Sequence, residues 1–193
     1  IANNFNDKVV IMYSGNYGNA HPVDTLLEAA RELRDEERII FVFVGGGTQY
    51  SKVQYYKEEL KCINIIQLPY QPKEYIHISL ASADFHVVVL NEATVGFTHP
   101  NKIYGAMYVG RPIIFIGPEK SYAGKILLDN PGNLSFRDGQ SKDLAEAIRK
   151  SISSLDDYNV IGEENRLYVQ KYFNSDKLKR RMVEIISNHD SSK

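Results

Sequence analysis

Cysteine is almost missing from this sequence. Cys62 is the single one in 193 residues, which excludes an internal disulfide framework and the multi-cysteine zinc sites. It adjoins the apolar run Ile63 to Ile66, where a small buried hydrophobe is its ordinary use, and it fits a reducing compartment such as the cytoplasm. Tryptophan is absent and selects no function. No apolar run approaches the roughly 18 residues of a membrane span. The start, Ile-Ala-Asn-Asn-Phe-Asn-Asp-Lys, lacks an initiator methionine and is no signal peptide; residues 1–7 read as a linker within a longer protein. Charge of one sign is lacking too. Lys and Arg number 23 against 24 Asp and Glu, for a net charge of -1, so no global field draws the chain to nucleic acid. No His-Glu-x-x-His motif and no helix-spaced histidine pair points to a metal, and Ser14 has no Gly-x-Ser-x-Gly context for a hydrolase elbow.

What is present is alternation. Apolar runs at Val9–Tyr13, Ile39–Val44, Ile63–Leu68, Phe85–Leu90, Ile113–Ile116 and Asn133–Phe136 read as strands. The second, fourth and fifth have no polar alternation, which suits parallel strands covered on both faces. Between them lie helical patterns. Val23, Leu26, Leu27, Ala30 and Leu33 share one face, with Pro22 in the first turn. Ser51 caps a helix carrying Val53, Tyr56 and Leu60. Pro72 opens one that turns Ile76, Leu80 and Ala83 inward, and another runs from about Pro100 to Gly110. Leu144, Ala145, Ile148, Ile152 and Leu155 mark a later amphipathic helix, and the tail from Asp157 to Asn188 reads as two helices split near Asn174-Ser175. Repeated βα units predict an α/β, Rossmann-like, doubly wound parallel sheet over residues 8–156, followed by a helical extension over 157–193.

Ligands of open parallel sheets bind outside the carboxyl ends of the strands. That rule selects four loops: Gly15–His21, Gly45–Gln49, Pro69–Gln71 and Asn91–Lys102. The first, with Gly15, Asn16, Gly18 and His21, is the best phosphate candidate, because glycines admit a ligand to the backbone and a helix start follows. Its Gly-x-x-Gly spacing is neither the dinucleotide fingerprint nor a Walker loop, so a plain tight turn remains open. Gly45-Gly46-Gly47 either turns the chain or clears space across the strand ends. The segment from Val95 to Tyr104 gathers His99, Asn101 and Lys102 at a helix start, where a cation opposes the helix dipole unless an anion is present. A solvated surface lysine is the alternative.

The order of these pieces resembles a known family. Val9 through Ala30 is similar to the first βα unit of the C-terminal, donor-nucleotide-binding domain of family 4 retaining glycosyltransferases with the GT-B fold, above all those building bacterial surface polysaccharides. Phe43-Val44-Gly45-Gly46-Gly47, Leu80-Ala81-Ser82-Ala83-Asp84 and the stretch from His99 to Ile114 resemble the family's second strand and glycine turn, its helix-to-strand junction and its donor helix with the next strand. Gly162-Glu163-Glu164-Asn165-Arg166, with Val169 and Phe173, is similar to the C-terminal helix that crosses back toward an N-terminal acceptor domain. The resemblance implies a nucleotide-diphosphate-sugar donor, transfer to an acceptor hydroxyl with retention, no required metal or other cofactor, and donor contacts at Gly15, Asn16, Gly18, His21, Gly45, Tyr70, Glu92, His99, Asn101 and Lys102.

It also implies that the chain's partner is its own N-terminal domain, that membrane association would come only through that half, and that the chain alone binds donor without turnover. Two departures stand out. The family's pair of glutamates falls on Phe97 and Gly105, neither acidic, with Glu92 a substitute from the longer loop. Its Arg and Lys that clasp the diphosphate fall at Asn16 and about His21, leaving Lys102 as the replacement cation. Two alternatives are half of a GT-B-like sugar-nucleotide epimerase and a non-catalytic Rossmann-like module.

Overall fold

The computed structural model describes residue 5, residues 7–174 and residues 179–184. Six strands, β1 (Val9–Asn16), β2 (Ile39–Gly46), β3 (Ile65–Leu68), β4 (Phe85–Val89), β5 (Ile113–Ile116) and β6 (Leu134–Phe136), form one sheet in the order β3-β2-β1-β4-β5-β6. Every pairing is parallel. Seven helices connect and cover them: α1 (Asp24–Glu32), α2 (Tyr50–Glu58), α3 (Ile76–Ala81), α4 (Lys102–Tyr108), α5 (Tyr122–Leu128), α6 (Ser141–Ser151) and α7 (Leu155–Tyr172).

Alternate residues of each strand supply the two cores, as a pleated strand requires. Val9, Ile11, Phe41, Phe43, Val87 and Ile114 face Leu26, Leu27, Val53, Leu144 and Ile148 of α1, α2 and α6. On the other face Val88, Ile113 and Phe115 meet Ile103 and Met107 of α4, Ile126 of α5 and Val169 of α7. Helices therefore cover both faces, the doubly wound arrangement that the unalternating strand runs predicted. Cys62 is buried, as its apolar neighbours suggested.

Several local expectations change. The helix after Pro22 begins only at Asp24. Ser51 lies inside α2, whose start is at Gln49 and has no side-chain cap. Ile63 is 84% exposed, because Lys61 adopts φ 54 and delays the strand to Ile65. A short 3-10 turn (Lys73–Tyr75) precedes α3, which buries none of its residues. Ile76 and Leu80 instead line an open apolar cleft of about 720 Å³ with Tyr104, Tyr108, Val169 and Phe173.

Helix α7 docks on the strand starts through contacts only small or polar residues allow. A Cβ on Gly162 would lie 2.2 Å from the Gly110 carbonyl oxygen. Asn165, fully buried, donates from Nδ2 to the Arg111 carbonyl at 3.0 Å and exchanges hydrogen bonds with Asn133 at 2.9 Å. The Phe173 ring then reaches Tyr104 at 4.6 Å between centroids, so α7 carries the chain toward the carboxyl edge. Residues 179–184 are helical, and Ser175, where the tail was expected to divide, lies outside the described residues.

Candidate functional site

The strand order reverses between β1 and β4, which places a crevice at that switch. Gly15, Gly45, Tyr70 and Asn91 all lie at the carboxyl ends of their strands, on one edge. Side chains and backbone stitch the crevice. Asn91 donates its N–H to the Ala20 carbonyl at 2.9 Å and its side-chain amide to Asn19 at 3.1 Å. Nδ1 of His21 lies 2.7 Å from the Val89 carbonyl oxygen.

Lys102 reaches into this crevice from the first residue of α4. Its amine is almost wholly buried and has no hydrogen-bond partner among the described residues. The nitrogen sits 3.5 Å from the centroid of the Tyr13 ring, on β1, and a Cβ on Gly15 would come within 3.3 Å of it. Burial pushes the Lys102 ammonium down to about 7. His21 is lowered as well, first by burial and then by the positive charge of Lys102, against the raising effect of its bond to Val89. Lys102, read from the sequence as the replacement cation of the donor site with a solvated surface lysine as the alternative, is buried over an aromatic face with no ion pair among the described residues. Because α4 has only seven residues, the anion argument rests on this amine and not on a helix dipole.

The glycine turns pack tightly around it. Gly15 and Gly45 are register partners at the ends of β1 and β2, with φ of +130 and +127. Tyr70, 60% exposed, lays its ring over Gly45 and Gly46 and donates its hydroxyl to the Gly46 carbonyl at 3.3 Å. The Asn16 side-chain oxygen is so close to Gly47 that a Cβ there would meet it at 2.2 Å. The α1 start lies beside the glycine turns, and side chains brace it. Gln49 accepts the Val23 N–H at 3.1 Å while donating to the Gly18 carbonyl at 3.1 Å, and Asp24 in the first turn pairs with Lys52 at 2.7 Å.

The other candidates divide. His99 shares a hydrogen bond with the Tyr104 hydroxyl at 2.9 Å and packs edge-on to Tyr122, so it braces the loop before α4. Asn101 is exposed at the α4 start and makes no side-chain capping bond. Glu92 pairs with Lys120 at 2.8 Å in a separate polar cleft of about 400 Å³ with Arg137 and Asp138. Tyr13 and Gln49 escaped the sequence reading. Tyr13 lay inside an apolar strand run, and Gln49 followed the glycines without a motif; only the spatial approach of α4 and α1 reveals them. Among the described residues no group of three or more His, Cys, Asp and Glu is placed to hold a metal, and no helix is long and apolar enough to cross a membrane.

The profile of the family described as "Glycosyl transferases group 1" matches residues 1–168. WcaI of Escherichia coli (strain K12), whose name assigns it to colanic acid biosynthesis as a glycosyl transferase, is 24% identical over 178 residues, covering 92% of this chain and 42% of that protein. The fold is shared with sucrose-phosphate synthase of Thermosynechococcus elongatus, at a TM-score of 0.81 and 17% identity over 97% of this chain and 47% of that one. It is shared too with HepE of Anabaena in complex with UDP, at a TM-score of 0.75 and 16% identity over 95% of this chain and 50% of that one. The chain spans less than half the length of the curated relatives it matches. Most of its residues fall within one family profile, on the doubly wound sheet just described: the chain belongs to the group 1 glycosyl transferases.

Proposed function

We propose that this chain is the donor-binding half of a glycosyltransferase that moves a sugar from a nucleotide-diphosphate sugar to an acceptor hydroxyl in surface-polysaccharide synthesis. The observation that carries the reading is the buried, unpartnered amine of Lys102 at the switch-point crevice. A polar group buried without a partner is costly, and a buried cation without a counterion more so. A diphosphate oxygen supplies what is absent from its surroundings.

In the transfer, the bond from the anomeric carbon to the diphosphate oxygen breaks and the leaving diphosphate keeps the electron pair. The acceptor oxygen bonds the same carbon and loses its proton. Charge grows on the leaving group, so a cation and backbone N–H groups held at its position lower the barrier. Lys102 and the Gly15 turn lie where that charge would develop. On this reading the acceptor and the groups that position it belong to a further, N-terminal domain, a reading supported by the greater length of its relatives, of which WcaI is covered to 42%.

Calorimetry with UDP, GDP and their sugars tests the reading. A charge-assisted contact contributes about 1.5–3 kcal/mol, so Lys102→Ala weakens nucleoside-diphosphate binding by roughly ten- to a hundred-fold. Lys125→Ala, on α5, removes the same charge elsewhere and leaves affinity unchanged. Equal affinity for both variants and the parent would return Lys102 to the status of an uninvolved lysine.

A further inference from the structure

A fixed cation would hold its charge whether or not an anion were nearby; the surroundings of Lys102 are built otherwise. Tyr13 of β1, His21 of the following loop and His86 of β4 are the titratable groups that interact with it among the described residues. None is a carboxylate. Burial raises the Tyr13 phenol above its usual range, and burial lowers His21 and takes His86 down to about 4. All three are neutral near pH 7, so the Tyr13 ring face is what attracts a charge on Lys102, and that attraction is modest.

His21 adds a constraint from geometry. A carbonyl oxygen can only accept, so the 2.7 Å contact with Val89 places the hydrogen on Nδ1. The neutral ring then has a bare Nε2, which cannot donate to a phosphate oxygen. His21 must gain a proton before it can donate to an anion, and Lys102 must hold one before it can offer a charge.

We propose that this site binds its diphosphate together with a proton: without an anion Lys102 exchanges between ammonium and amine, the amine gaining as pH rises, and a phosphate oxygen closing over it holds it as the ammonium, with His21 as the next acceptor. The inference rests on the donor-site reading above. The proton comes from the acid form of the buffer, and no other bond is made or broken.

The sign follows from linkage. With the free lysine titrating near 7 and the anion raising that value in the complex, affinity is level below pH 7 and falls about tenfold per pH unit above it. UDP then binds roughly fifteen-fold more weakly at pH 8.5 than at pH 7.0.

The test is titration calorimetry of the intact protein with UDP at pH 8.0, in buffers that differ in protonation enthalpy. A terminal phosphate ionises near ~6, so UDP itself takes up no proton there. The apparent enthalpy is expected to vary with the buffer, giving close to one proton gained per UDP bound. Lys102→Met, of similar shape and uncharged, binds more weakly with no such dependence. Lys102→Arg, charged at every pH, binds without it and with a level pH profile. UDP binding with no buffer dependence overturns the proton uptake and leaves the donor reading standing. A dependence that persists in Lys102→Met overturns the assignment to that amine. No binding of UDP or of GDP at either pH overturns the donor reading, and this inference with it.

Discussion

Gly45 sets the sharpest structural demand at this edge. It is paired in register with Gly15 across β1 and β2, with φ +127. A Cβ added there would stand 2.2 Å from the Gly15 carbonyl oxygen, 3.0 Å from its carbon and 3.1 Å from Tyr70 Cε1. The first two neighbours are strand backbone and cannot step aside as a side-chain tip can. Gly45→Ala therefore meets two costs, backbone strain of about 1–3 kcal/mol and overpacking of about 1–3 kcal/mol. Together they take roughly 3–5 kcal/mol from a domain whose total stability is of order 5–15 kcal/mol. Gly96→Ala is the control. Its φ is +88, but nothing lies within 4 Å of its Cβ position, so it feels backbone strain alone, about 1 kcal/mol. Urea unfolding at constant m-value reads the difference as a shift in midpoint. Equal midpoints for the two variants would refute the argument that contact with β1, and not φ alone, demands a glycine at 45.

Asn165→Ala removes the bond to the Arg111 carbonyl and both bonds exchanged with Asn133, which keeps its bonds to Asn130 and Ile113, and unfolding by urea should show a loss of about 1–3 kcal/mol. His86, donating from Nε2 to the Leu80 carbonyl at 2.8 Å, titrates at about 4 when folded and near ~6.5 when unfolded. The unfolded chain thus binds more protons between those values, and stability falls as pH drops from about 6.5 to 4, by roughly 3 kcal/mol; His86→Gln should flatten that slope in acid-denaturation curves.

The sheet was legible because its strands carry their burial in their own composition. Ile39–Val44 and Phe85–Val89 have no polar alternation and prove buried on both faces. Helix periodicity was less informative about what lies opposite. Ile76 and Leu80 have the spacing of a core face, yet they line the open cleft beside α4 and α7. The site divides in the same way. The glycines and Lys102 were visible as residue types at strand ends. The burial of the lysine amine was not, because it is produced by Tyr13 from β1, whose phenol was hidden in an apolar run. Glu92 illustrates the reverse case. The sequence suggested a place for it beside the donor from the loop after β4, but its partner Lys120, after β5, and the polar cleft they share come from the fold alone.

The departures from the family's charge pattern form one coherent arrangement. A carboxylate at position 105 would rise from the wall of the apolar cleft, where Leu80 Cδ1 stands 3.5 Å from a Cβ at that position. It would lose water there without gaining a partner, so glycine at 105 suits the cleft that the packing of α3, α4 and α7 creates. At position 16 the short amide side chain lies against Gly47. The remaining cation is placed where it needs no neighbour of opposite sign, on the face of Tyr13, and where burial leaves it close to balance between its charged and neutral forms. Two exposed fixed cations attract a diphosphate at any ordinary pH, screened by salt. One buried amine is screened far less and becomes fully charged as its anion arrives. A site reorganised in this way should therefore depend more on pH and less on ionic strength than one built from an exposed basic pair, and UDP titrations at about 0.05 and 0.5 M salt, set beside those at pH 7.0 and 8.5, measure which variable dominates.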